Sequence, residues 1–383
     1  MLYLDHAAST PMRPEAVAAM LPFLTDNPGN PSGSHAASRV SKTALEQARE
    51  DVATAVGCDA REVIFTGGGS ESDNLAIKGT AVARRELGLD GVVTSGIEHK
   101  AVLGATQRLA RDGFRVATVG ATAAGVIDLN ELSDALDAHT SVVSVMLVNN
   151  ETGVVQPLHE VRALISERAP QAVLHTDAVQ APQWIDLVSA TQPADLVSLS
   201  GHKFGGPKGV GVLMKRSNVA LAPLIEGGGH ELGLRAGTQN VAGIVAFAEA
   251  LRITHAQRAV EITRIAALRD RLEVELGLQL EGFAVNGDVD RRVEGLLHAS
   301  FCGVEAETML LALDIAGLCA ASGSACSSGA IDPSHVLIAM GMHREIALSS
   351  VRFSLGWAST DADIDAAIPV VVETVNALRT RAA

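Results

Sequence analysis

Six lysines stand against 24 arginines in this chain. One of them, Lys203 in "SLSGHKFGGPKGVG" (Ser198–Gly211), follows a short apolar run by three residues. A lysine held in a semi-buried site has a lowered pKa, and its amine can form a Schiff base with an aldehyde. A solvated loop lysine would read the same way. Ser200 and His202 flank it. The stretch narrowly misses a P-loop, since Pro207 follows Gly206 where a lysine is needed.

Other reactive groups fall in comparable places. "TGGGSESDN" (Thr66–Asn74) offers three glycines, including Gly69, whose backbone amides can approach an anion at a helix start, and Ser70 adds a hydroxyl. An ordinary glycine turn with a serine N-cap is the plainer reading. In "HTDAVQA" (His175–Ala181), Asp177 could hold a protonated ring nitrogen and Gln180 a neighbouring ring oxygen, or Asp177 could simply cap a helix. In "IEHKAV" (Ile97–Val102), His99 could stack on a flat ring or move protons, or only begin a helix. Finally, "AASGSACSSGA" (Ala320–Ala330) sets Cys326 among serine, glycine and alanine with nothing to pack against it. An anion cradle, a Schiff-base lysine, an aspartate for a pyridinium and a ring-facing histidine are together what pyridoxal 5'-phosphate asks of a protein.

These groups need a scaffold that brings them to one edge. "EVIFT" (62–66), "GVVTS" (91–95), "FRVATV" (114–119), "SVVSVMLV" (141–148), "AVLHT" (172–176), "DLVSLS" (195–200) and "GVGVLM" (209–214) predict seven buried strands. Helical stretches over 71–87, 100–111, 129–138 and 158–168 alternate with them. That rhythm predicts an α/β fold, a mostly parallel sheet sandwiched by helices, with ligands beyond the carboxyl ends of the strands. Gln239 to about Leu276 predicts one long helix or a kinked pair. After it, strands at 296–301 and 350–355 and helices near 305–316, 333–340 and from 361 predict a smaller α+β domain.

Composition narrows the function classes. Apolar residues make up 47% of 383 residues, ample for two cores. A net charge of −14 with no basic cluster disfavours nucleic acid and anionic membranes as partners. Four cysteines without regular spacing fit neither a zinc site nor a disulfide framework. No signal-peptide pattern opens the chain and no apolar run is long enough to span a bilayer, so a cytoplasmic location is expected.

At these residues the chain resembles the cysteine desulfurases, the class V aminotransferase branch of fold-type-I pyridoxal-phosphate enzymes, and within them the long-loop SGSAC type. "YLDHAAST", "GNPSGSH", "SESDNLAIKG", "EHKAVL", "VNNETGVVQP", "SGHKFGGPKGVG", "GGGHE", "RAGTQNV", "SGSACSSG" and "VRFSLG" occur in family order. The resemblance implies a large cofactor-binding domain over 14–250 and a small domain of 1–13 and 251–383 carrying the cysteine loop. It implies that Lys203 holds the cofactor as a Schiff base, Asp177 pairs with the ring nitrogen, Gln180 with the ring hydroxyl, and His99 stacks on the ring. Gly69, Ser70, Ser200 and His202 would hold the phosphate, with Thr238 reaching it across a homodimer interface. Asn150 would lie near the ring, and Asn30 and Arg352 would bind the substrate carboxylate, a role that suits a guanidinium fork.

The implied reaction turns L-cysteine into L-alanine, with Lys203 and His99 moving protons. Cys326 takes the sulfur as a persulfide, which passes to an acceptor protein for iron-sulfur cluster or thio-cofactor synthesis. A thiol that must travel suits a Ser/Gly/Ala loop: about six residues on either side at ~3.3 Å each reach on the order of 20 Å. A selenocysteine lyase or another class V aminotransferase is the alternative, though an aminotransferase needs no thiol nucleophile. A non-catalytic sulfur relay would need none of Lys203, Asp177 and His99. Three positions depart from the family pattern: Gly69-Ser70 replaces a common Ala-Thr pair, and Leu232 a common arginine.

Overall fold

A computed structural model describes residues 1–322 and 332–382. Seven strands form the main sheet: β1 (Val63–Thr66), β2 (Gly91–Ser95), β3 (Arg115–Val119), β4 (Thr140–Ser144), β5 (Val173–Asp177), β6 (Leu196–Ser200) and β7 (Gly211–Lys215). Their order is β1-β7-β6-β5-β4-β2-β3. All pairs are parallel except those of β7, which is antiparallel to β1 and β6. Both faces are covered, and every residue of β1, β2, β4, β5 and β6 is buried. Near-continuous apolar strands are what such burial demands.

The expected strand over 141–148 stops at Ser144. Beyond it Val145 and Leu147 still donate to His175 and Asp177 of β5. β2, the neighbour on the other side, has ended at Ser95, so only half the ladder remains. The expected helix over 71–87 is one rod with a changed pitch. It begins as α1 (Gly69–Asn74), widens into a π-helical turn over Leu75–Gly79, and resumes over Thr80–Arg84. Such wide turns gather at functional sites.

The long helix is continuous: α2 runs from Val241 to Gln279, capped by the Asn240 side chain, which accepts the Gly243 N–H at 3.1 Å. A Cβ at Gly243 would lie 2.6 Å from Val210, so glycine there lets the helix close on the loop after β6. The domain boundary expected at 250 falls inside this helix. Past it, β8 (Phe283–Val285), β9 (Leu296–Phe301) and β10 (Ser350–Ser354) form an antiparallel sheet in the order β10-β9-β8. A final helix, α3, covers Asp361–Ala382. The chain's first residues reach this second sheet: Leu2–Tyr3 form a separate two-stranded sheet with Leu318–Cys319, Asp5 bridges Ser354, and the Ala7 N–H donates to Ser354 Oγ at 2.9 Å. No helix among the described residues is long and apolar enough to cross a membrane.

Candidate functional site

The carboxyl ends of β1, β2, β4, β5 and β6 open on a cavity of about 490 Å³, in the range of small-molecule sites. Its wall includes Gly69, Ser70, His99, Asn150, Asp177 and Gln180, together with Ser200, His202, Lys203 and Arg352. Ten residues proposed from sequence for a single site therefore meet in one cavity. Asn30 and Thr238 do not line it: both are exposed, and Asn30 Oδ1 caps its own turn by accepting the Ser32 N–H at 2.9 Å. Cys326 lies outside the described residues.

Lys203 is half-buried. Its Nζ donates to the carbonyls of Ala7 at 2.6 Å and Ala8 at 2.9 Å. Burial pushes its amine down to about 8, and the Arg352 charge adds to the effect. Gln180 Nε2 donates to the same Ala7 carbonyl at 2.9 Å. One backbone oxygen thus holds both side chains, and it comes from the far end of the chain.

Asp177, at the tip of β5, is 5% exposed, and its Oδ1 accepts the Val179 N–H at 2.9 Å. Burial raises its carboxyl above the usual range, while His99, the Val179 amide and Lys203 pull it back. Behind it stands Asp73, whose Oδ1 is buried without a hydrogen-bond partner and lies 3.7 Å from His175 Nε2. His175 bridges Ser144 Oγ at 2.8 Å and Ser198 Oγ at 3.0 Å across three strands, and burial lowers it to about 3, so it is neutral there. His99 lines the cavity and its Nδ1 accepts the Ala101 N–H at 3.2 Å, which leaves the proton of the neutral ring on Nε2. Burial lowers its pKa, against the pull of Asp177.

On the opposite wall Arg352 is 4% exposed. It donates through Nη1 to the Asn150 carbonyl at 2.7 Å and through Nη2 to Asp5 at 2.8 Å, while Nε has no partner among the described residues. A second cleft of about 500 Å³ continues from the cavity between "GGGS" (67–70) and Ser200, His202 and Lys208. Gly68 there has φ +146°, a conformation that side chains rarely adopt, and a Cβ at Gly211 would lie 2.5 Å from the Gly68 carbonyl carbon. Backbone amides, two serines, a histidine and a lysine around a cleft that only glycine leaves open suit a phosphate. The amine, the buried carboxyl and the histidine beyond it suit the aldehyde and ring of pyridoxal phosphate.

Sequence reasoning missed Asp5, Ala7, Ala8 and Asp73. Asp73 left a signal: it lies three and four residues before Ala76 and Ile77, on the buried face of its rod. Ala7 left none, since its contribution is a backbone carbonyl.

A lysine at the strand ends of a mostly parallel sheet, facing a buried aspartate, defines an aminotransferase-like enzyme. The chain belongs to the class V aminotransferase family, whose sequence profile matches residues 2–367. Within it the chain is 40% identical to cysteine desulfurase IscS of Clostridium botulinum over 380 residues, 99% of this chain and 95% of that one. It is 42% identical to a cysteine desulfurase of Trichormus azollae, covering 99% and 94%. Among solved structures, a NifS-like protein superposes with a TM-score of 0.92 at 32% identity over 98% of this chain and 99% of that one. SspA in complex with cysteine superposes at 0.81 with 34% identity over 93% and 99%. Full-length identity of this order sets the chain among the cysteine desulfurases.

Proposed function

We propose that this desulfurase binds pyridoxal 5'-phosphate in the cavity, converts L-cysteine to L-alanine, and takes the sulfur onto Cys326 for delivery to an acceptor protein. Lys203 carries the reading: a cavity-lining amine lowered to about 8 beside Asp177 and Arg352. When bound, the cofactor supplies an electron sink for bonds at the substrate's α-carbon. Lys203 would tether it and, with His99 Nε2, would move protons at the substrate. Asp177 would hold the ring nitrogen and Gln180 the ring oxygen, with Asn150 nearby. Gly69, Ser70, Ser200 and His202 hold the phosphate, and Thr238 of a second copy completes that site in a homodimer. Arg352 grips the substrate carboxylate, shifting away from Asp5 to do so.

The sulfur step balances without an outside oxidant. The Cys326 thiolate forms an S–S bond to the substrate sulfur, and the Cβ–S bond breaks with its electron pair left on carbon. That carbon takes a proton and leaves as the alanine methyl group. The test is release of sulfide and alanine from L-cysteine by the protein with pyridoxal phosphate and a thiol reductant. Equimolar products are expected, and Cys326→Ala should cut sulfide release at least ~100-fold while the cofactor still changes absorbance on adding L-cysteine. Wild-type turnover by that variant would rule out the persulfide route.

A further inference from the structure

Residues 321 and 334, on either side of the stretch that carries Cys326, are each tied to a wall of the cavity. On the N-terminal side, the Ala321 N–H donates to the Arg352 carbonyl at 3.1 Å and the Arg352 N–H donates to the Ala321 carbonyl at 2.6 Å. These bonds extend the small sheet by one residue. On the C-terminal side the tie is made by side chains. Ser334 Oγ donates to Glu151 Oε2, and His335 Nε2 donates to the Glu98 carbonyl at 2.8 Å.

Ser334 and Glu151 are 2% and 1% exposed, so this bond is sealed from water. Glu151 directly follows Asn150, and Glu98 directly precedes His99. The short helix His335–Ala339 is therefore pinned to the two loops that present cavity side chains. Its Val336 and Leu337 pack with Ile97 and Ala347 in a small apolar cluster of their own.

A buried carboxylate costs stability unless it is paired or hydrogen-bonded. Burial raises the Glu151 carboxyl, and the Ser334 hydrogen bond is the foremost of the groups that offset this. Ser334 Oγ also accepts the Val336 N–H at 3.1 Å and the Leu337 N–H at 3.3 Å, so one hydroxyl both caps the helix and reaches the acid. A cap needs only the acceptor side of that hydroxyl. The donor side serves the cavity wall.

We propose that Glu151 is a positioning residue for sulfur transfer: through Ser334 it anchors the first described residues that follow the stretch carrying Cys326. The inference rests on the desulfurase reading above. Neither Arg352 nor Lys203 hydrogen-bonds Glu151 or Ser334, although the Arg352 charge acts on Glu151, so loss of the tie falls first on arrival of the thiol and only secondarily on capture of the substrate.

The test compares Glu151→Ala with Glu151→Gln in the loaded enzyme, since glutamine keeps an acceptor oxygen for Ser334. Glu151→Ala should lose about tenfold in turnover at saturating L-cysteine. The L-cysteine concentration that half-saturates the cofactor's absorbance change should stay within about twofold, and Glu151→Gln should regain most of the turnover. Amide exchange at Val336–Met340 should quicken about tenfold in Glu151→Ala, with the Ser334 cap intact. If Glu151→Ala does not fold, Ser334→Ala against Ser334→Thr removes and restores the same bond and is read by the same split. Unchanged turnover and exchange, or binding and turnover falling together, would overturn the proposal. A wild-type protein that releases no sulfide sinks the desulfurase reading instead, and the exchange measurement still decides whether the tie holds.

Discussion

At the scale of single residues, the chemistry depends on charges held out of water. Lys203 is the clearest case, and its shift has a direction that can be tested. The neutral amine attacks an aldehyde, and it predominates above about 8 in this fold. The rate at which cofactor-free protein captures pyridoxal phosphate should therefore rise about tenfold per pH unit up to 8 and level off above it. An unshifted lysine would keep gaining until about pH 10. Stopped-flow absorbance across that range checks this, and a rate still climbing beyond 9 would refute the lowered amine. Lys203, Asp177, His99 and Ser70 were legible in the sequence because each is a reactive type just past an apolar run. Asp73 and Glu151 were not singled out, since a buried acid looks like a surface acid until its helix or loop is placed.

At the scale of elements, the phosphate cleft is a contact between the loop after β1 and the first residue of β7. A Cβ at Gly211 would strike the Gly68 backbone, which cannot rotate away, whereas a Cβ at Gly69 would meet side chains, Val179 Cγ2 at 2.9 Å and Ser200 Cβ at 3.4 Å, which can shift. Gly211→Ala should weaken pyridoxal phosphate binding by at least about tenfold, near 1.4 kcal/mol, while Gly69→Ala should stay within about threefold. Fluorescence titration of the cofactor-free variants measures both, and equal losses would show that the cradle is looser than its geometry implies. The strands could be read from sequence because each carries a short apolar run, though β3, at the sheet edge, is only partly buried and not the buried strand expected. The π-helical turn at Leu75–Gly79 could not: "LAIKG" is compatible with an ordinary helix, and packing alone selects the wider pitch.

At the scale of the molecule, Thr238 is exposed and apart from its own chain's cavity. Leu224, Ile225 and Leu232, in the same irregular stretch, are exposed apolar side chains. A homodimer accounts for both, and sedimentation should give twice the chain mass. Thr238→Ala should then weaken pyridoxal phosphate binding several-fold, although Thr238 touches nothing in its own cavity. A monomer that holds the cofactor with wild-type affinity would exclude the shared site. In the sequence a homodimer is suggested only through the motif around Thr238.

The Ala7 carbonyl that holds Lys203 and Gln180 carries a consequence for how the protein is made. Residues 1–8 leave the ribosome long before the strand that seats them, and the Ala7–Ser354 contact spans 347 positions. Contacts of such separation close late and slowly. The bonds from Gln180 and Lys203 to Ala7, and from the Thr10 N–H to the His202 carbonyl, need only the first 203 residues and can form on a nascent chain. The hold of Ser354 on Ala7 belongs only to chains synthesised past that residue, so the lysine's acceptor is fixed from its second side last.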